Sequence, residues 1–258
     1  MLILAIETTG PLASVALYDD GIVSCVKNNA DFSHLQECVP MVKALLAEEE
    51  VDPADLDAVA VSCGPGSFTG IRIGMATAKG LAQVWNKPVI EVPTLDSFAY
   101  ASLPFGSNTV ICPVFDARRS QVYAAAFRRG IDQQEICCVP MEGKEPEVRT
   151  LIPEGAYALD EYLEKLQDAA WYGDTLLFFG DGSRRFEDRI EEVLSGTCCG
   201  EGVNVEVRFA EDEYYLQSAE NVARLAAKLF AEGKLKDCYT AQPNYLRAAE
   251  PDRKKEKA

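Results

Sequence analysis

Apolar positions along the first 92 residues switch between two periods. Residues 2–8 (LILAIET), 13–19 (ASVALYD) and 22–28 (IVSCVKN) are short apolar runs bounded by turn formers, which predicts three strands. Asp19-Asp20-Gly21 supplies the turn that makes a hairpin of the last two. From Ser33 the spacing becomes helical, with Leu35, Val39, Val42 and Leu46 on one stripe, Cys38, Met41 and Leu45 widening it, and Ser33-x-x-Gln36 as a capping box. Pro40 falls inside that helix, where it removes a backbone hydrogen bond at a cost of about 3 kcal/mol or bends the axis. A strand over 56–62, a glycine-rich turn, a helix over 70–85 and a strand over 88–92 follow.

The order then recurs. Residues 109–115 (TVICPVF), 121–128 (QVYAAAFR) and 134–139 (QEICCV) predict three more strands. A helix near 157–169, a strand over 175–179, a GDG turn at 180–182 and a helix from about 183 come after them. VFDARRSQVYAAAFRRG at 114–130 echoes AIETTGPLASVALYDDG at 5–21, with an acidic residue at the strand end, then turn, strand and turn. The expected fold class is α/β, with two duplicated βββαβα lobes of the actin/hexokinase-like ATPase (RNase H-like) type. The turn formers near 102–108 divide the chain into a first lobe, 1–104, and a smaller second lobe, 105–212. A last amphipathic helix, within 213–233 and ending at Gly233, is assigned to the first lobe, and the basic tail 248–258 is expected to be disordered.

Charge narrows the function. A net charge of −16 disfavours direct, independent binding of a nucleic acid, because phosphate backbones require a basic face and only RKKEK at 253–257 is basic. The nine cysteines are an odd count without a CxxC pair, which argues against a disulfide framework and against a zinc site. The opening MLILAIETTG has no basic n-region and reads as a buried strand, so a cytoplasmic, reduced protein without a membrane segment is expected.

The stretch SCGPGSFTG at 62–70 asks for a phosphate ligand, and spacing tests that. A Walker loop fails, since Thr69 stands five residues after Gly64 and no Gly-Lys follows. A dinucleotide fingerprint is weak, since the spacing is Gly64-x-Gly66-x-x-x-Gly70 and the first strand leads to a hairpin. An actin/hexokinase-like site between the lobes fits the topology better. Its symmetric carboxylate candidates are Glu7 and Asp116, each ending the first strand of a lobe, and the second-lobe turn ARRS offers two arginines. The competing reading is structural, with each acid bonding the amides of its own turn.

MLILAIETTGPLASVALYDDG, the helix opened by SHLQE and VAVSCGPGSFTGIRIGMATAKGLA together resemble the bacterial TsaB (YeaZ) family. VPTLDSFA at 92–99, DARRSQVYAA at 116–125 and PNYLR at 243–247 extend the match along the chain. The resemblance implies a paralogue of TsaD, the transferase subunit that places threonylcarbamoyl on the adenosine next to the anticodon in tRNAs reading codons that begin with A. It further implies no catalysis by the chain itself, pairing with a TsaD-type subunit, a TsaE-type ATPase in the same machinery, and tRNA reached only through the complex. TsaD-type proteins carry an HxxxH metal motif where this chain has VPTLDSFAYA. Thr94 and Phe98 occupy the ligand positions, and the single histidine, His34, excludes a two-histidine site within one chain. A Cys38/His34 nucleophile pair is the weak remaining enzymatic option on that helix, without an orienting third group.

Helix 70–85 carries Gly70, Gly74, Ala76, Thr77, Ala78, Gly80 and Ala82, and each internal glycine costs up to about 1 kcal/mol relative to alanine. Close approach of another helix would compensate, and packing on its own sheet explains part of the pattern. The expected partner surface comprises Leu35, Cys38, Val39, Val42, Ile73, Gly74, Thr77 and Gly80. In the family these helices pair with their counterparts on TsaD, or on a second copy in a homodimer. Gly74→Leu or Gly80→Leu is then expected to block association without unfolding the monomer. No cofactor is expected to bind the chain alone. ATP or ADP is expected, if anywhere, at the partner interface, where Gly64, Gly66 and Ser67 would at most border it. The alternative functions are a small-molecule kinase or ATPase using Glu7 and Asp116, and, less supported, a peptidase acting on the partner.

Overall fold

The computed structural model describes residues 1–27, 34–103, 106, 108–130, 147–194 and 205–246. Strands β1 (Leu2–Glu7), β2 (Ser14–Asp19) and β3 (Ile22–Lys27) form an antiparallel meander, and β4 (Ala58–Gly64) and β5 (Val89–Pro93) add in parallel on the other side of β1. The order is β3-β2-β1-β4-β5. The central strands β1 and β4 are covered on both faces, so they read as continuous apolar runs. Alternation still divides them. Leu4 and Ile6 point to helices α1 (His34–Glu48) and α2 (Phe68–Trp85), while Ile3 and Ala5 point to the core beneath α7 (Ala219–Ala231).

The second sheet repeats this topology. β6 (Thr109–Asp116), β7 (Gln121–Gly130) and β8 (Glu147–Ala158) form the meander, β9 (Thr175–Phe179) and β10 (Glu206–Phe209) the parallel side. Their order, β8-β7-β6-β9-β10, is that of the first sheet. Helices α4 (Leu159–Ala169) and α6 (Glu187–Leu194) cover one face through Leu163, Leu166, Ile190 and Leu194. The other face joins the first lobe in one core: Phe98, just past the short helix α3 (Thr94–Ser97), packs tilted against Phe115 and Phe179 at 5.8 and 5.4 Å between ring centres. The duplicated α/β architecture is therefore present.

Two elements differ from the sequence expectation. The third strand of the second meander is Glu147–Ala158, a segment whose Pro153 and Gly155 hide it from propensity; the proposed strand 134–139 lies outside the described residues, as do the tail 248–258 and Ser33. Proline is tolerated there because β8 is the edge strand among the described residues, and Gly155 sits where the pairing with β7 shifts register. Strand β10 was also unforeseen, because its four residues, EVRF, are too short to show a period.

α7 starts at Ser218, whose side chain accepts from the Glu220 amide at 3.3 Å, while Ser14 Oγ accepts from Ala219 N at 2.9 Å. Ser218→Ala is expected to lower the unfolding free energy by about 1 kcal/mol, read as a lower urea midpoint at unchanged slope. Beyond α7 the chain turns back. Lys236 and Val89 exchange both backbone bonds at 2.8 and 2.9 Å, and the strap that follows runs along α2 to Tyr245. Among the described residues no helix is long and apolar enough to cross a membrane.

Candidate partner face and interlobe cleft

The glycine turn is shaped by its own lobe. Ser67 caps α2 by accepting from Gly70 N at 3.3 Å, and its amide donates to Thr9 O at 2.7 Å. A Cβ added to Gly66 would sit 2.7 Å from Thr9 Cβ and Thr9 O; one on Gly70 would strike the Thr8 carbonyl oxygen, and one on Gly74 the Thr8 hydroxyl. Thr8 Oγ1 donates to Gly70 O at 2.8 Å across that contact. The small residues on this flank bring α2 onto the end of β1. Gly74 thus faces its own sheet instead of a partner, which corrects the expectation for that position. The second lobe repeats the device, since an added Cβ on Gly182, in α5 (Asp181–Arg185), would lie 2.7 Å from the Phe115 carbonyl carbon at the end of β6.

Between the lobes lies a cleft of about 570 Å³ lined by Thr9, Ser67, Asp116, Arg118, Asp181 and Gln217 among others. Glu7 does not reach it. That carboxylate is fully buried and accepts from Thr9 N at 2.5 Å, Thr9 Oγ1 at 2.6 Å and the Ser62 hydroxyl, and burial pushes its pKa up. Asp116 has the same local arrangement: it accepts from Arg118 N at 2.8 Å, two residues on, and pairs with Arg185. Both acids bond the amides of their own turns, and a cleft ligand would find neither as a free base. Gly64 lies away from the cleft's lining, under the strap, where an added Cβ would be 2.5 Å from Asn244 O.

The nucleophile and metal options meet similar obstacles. Cys38 is buried, and burial pushes its thiol up to about 11 while a Thr77 hydrogen bond pulls the other way, so it is a thiol at neutral pH. The side chain of His34 lies outside the described residues. Thr94 and Phe98 are fully buried in the core, and no three His, Cys, Asp or Glu side chains among the described residues are placed to hold a metal.

What remains open is the outer face of α1 and α2. Cys38 and Val42, expected on the partner surface, are buried with Leu4, Ile6, Val15 and Leu17, because the wide apolar arc of α1 is consumed by its own sheet. Val39 stays 51% exposed. On α2, Ile73 and Thr77 are half-buried, Ala76 and Gly80 are exposed, and Val84 is 79% exposed. Among the described residues, nothing beyond its own helix turn lies within 4 Å of a Cβ built on Gly80. These positions, three or four residues apart, make a flat stripe of small and apolar side chains. Val39, Leu46, Leu81 and Trp85 line an adjoining apolar groove between the two helices. Ala76, Leu81, Val84 and Trp85 were missing from the sequence-based surface, although stepping three or four residues on from Ile73 reaches Ala76, Thr77, Gly80 and Val84. The side chain of Leu35 lies outside the described residues.

Comparison with known proteins agrees with this architecture. Residues 25–254 match the family model described as "TsaD: tRNA N6-adenosine threonylcarbamoyltransferase". The chain is 34% identical to the tRNA threonylcarbamoyladenosine biosynthesis protein TsaB of Escherichia coli, over 96% of this chain and 95% of that protein. It is 29% identical to the TsaB protein of Bacillus subtilis, over 98% and 97%. The solved structure of YeaZ from Pseudomonas aeruginosa superposes with a TM-score of 0.69 at 24% identity, covering 95% of this chain and 99% of that one, and shares the fold. The chain belongs to the TsaB (YeaZ) family of tRNA threonylcarbamoyladenosine biosynthesis proteins, paralogues of TsaD.

Proposed function

We propose that this protein is a non-catalytic subunit required for threonylcarbamoyl modification of the adenosine next to the anticodon in tRNAs reading codons that begin with A. It acts by docking the α1–α2 face onto a TsaD-type transferase subunit, with a TsaE-type ATPase completing the machinery and tRNA engaged only through the assembly. The observation that carries the reading is the exposed stripe Ile73, Ala76, Thr77, Gly80 and Val84 on a chain of this family. A soluble monomer gains nothing from placing such a stripe in water, whereas small residues let a second helix approach closely. Where ATP or ADP participates, it lies at the subunit interface. A second copy of the chain is the competing occupant, and mass-resolved titration with the TsaD-type subunit tells the two apart.

The kinase or ATPase reading is disfavoured by Glu7, which is sealed beneath its own turn. Titration of the isolated chain with Mg-ATP tests it: micromolar binding with turnover would restore it. Depleting the protein in its host is expected to lower the threonylcarbamoyladenosine content of bulk tRNA severalfold while the TsaD-type subunit persists, as read by mass spectrometry. An unchanged content would overturn the proposed role.

A further inference from the structure

The PNY segment at 243–245 ties three parts of the molecule together. Asn244 N donates to Cys63 O at 2.7 Å, at the end of β4. Its side-chain Nδ2 crosses to the second lobe and donates to Glu154 Oε1 on β8 at 2.9 Å. The next residue, Tyr245, packs its ring on Phe68 at 5.2 Å and accepts from Arg72 Nε at 3.1 Å, in the first turns of α2. Glu154 Oε2 is buried and has no hydrogen-bond partner among the described residues.

We propose that Glu154 is a proton-controlled latch: neutral, it clasps Asn244 and holds the second lobe, the strap and the start of α2 in one arrangement; ionised, it withdraws to water and frees the strap. In its effect on docking, this inference rests on the proposed partner role of α2.

The surroundings favour the neutral form. Burial and the charge of Asp96 on α3 raise the Glu154 carboxyl to about 7, outweighing the Asn244 hydrogen bond, which favours the ionised form. Asp96 is itself raised to about 6 by burial, partly offset by Lys234. Cys63, pushed up to about 12, stays neutral. Glu91 on β5 accepts from Gln242 N in the strap and faces Lys236 at 3.9 Å, adding a second negative group near Cys63. A carboxyl whose folded pKa lies above its ordinary 4.5 contributes stability that is fully present below 4.5 and is lost as the pH rises through about 7. The clasp is therefore closed at pH 6 and weakened at pH 8.

The test is amide hydrogen exchange of residues 241–245 and 68–72 in the full chain, corrected for intrinsic rates, at pH 6 and pH 8. Linkage between carboxyl values near 4.5 in the open form and 7 in the closed form predicts about a tenfold loss of protection in the wild type. Glu154→Gln, which is neutral and keeps an acceptor for Asn244, is expected to show none. Equal pH slopes in the two proteins would overturn the latch. A second arm measures affinity for the TsaD-type subunit over the same range. A fall toward pH 8 in the wild type alone supports transmission to α2, and a flat wild-type profile overturns it. Binding by neither protein at any pH would count against the partner reading, and the exchange arm would then decide the latch by itself.

Discussion

Gly70→Val is expected to remove a large share of the fold's stability. The Cβ of any substituent would strike the Thr8 carbonyl oxygen, with the Thr8 carbonyl carbon at 3.0 Å and Ser67 Cβ at 3.3 Å. The first two are backbone atoms at the end of a fully buried central strand, so no flexible side chain can move aside. The valine methyls add volume to the same contact. Relief requires α2 to lift from β1, which breaks the Thr8 Oγ1 to Gly70 O bond and opens the core around Met75 and Ala78. Overpacking of this kind costs 1–3 kcal/mol where side chains yield and more against backbone, against a total stability of about 5–15 kcal/mol. A loss of at least about 3 kcal/mol is the expected reading of a urea titration. Gly80→Ala is the internal control, because its Cβ meets open space and a helical glycine gives way to a better helix former, a gain of about 0.5–1 kcal/mol. A Gly70→Val midpoint equal to wild type would show that the contact is soft and that the glycines of the turn answer to something other than β1.

The second large effect falls on association. Val84→Asp places a charge at the C-terminal end of the proposed stripe, at a position 79% exposed in the isolated chain, and Gly80→Leu fills the space a neighbouring helix would use. Neither touches the core, so both proteins are expected to unfold within about 0.5–1 kcal/mol of wild type. A charge stranded in an apolar interface costs about 2 kcal/mol or more, the scale of a hot-spot residue, so affinity for the TsaD-type subunit is expected to fall about 30-fold or more for Val84→Asp, and Gly80→Leu is expected to lower it by blocking close approach of the partner helix. Calorimetry with the purified partner reads this directly. Wild-type affinity in both variants would remove the α1–α2 face from the function. Gly74→Leu, which sequence alone would have offered as the same experiment, is unsuitable, since its side chain would be driven into Thr8 and Val61 of the same lobe.

The contrast between Gly74 and Gly80 marks the boundary between what could be read and what could not. The order of elements in the first lobe, the duplication and the family were legible, because alternation, helical spacing and turn residues are local properties carried by each segment. So was the competing structural reading of Glu7 and Asp116, because an acid two residues before an amide can bond it when that turn forms. β8 was not legible, since Pro153 and Gly155 contradict strand propensity and only its place at a sheet edge makes them acceptable. Which side of α2 meets β1 was equally hidden: small residues surround the helix, and a list of glycines does not say which of them a neighbour requires. Cys38 and Val42 show the same limit on α1, where an apolar arc fits a sheet and a partner alike until the sheet is seen to cover it. The Asn244–Glu154 contact spans 90 positions and both lobes, so no local pattern announces it. The sequence by itself determined most of the elements, their repeat and the family; the tertiary structure alone decided which small and apolar faces were used up in folding and which were left exposed, because burial is a property of the neighbours a residue acquires.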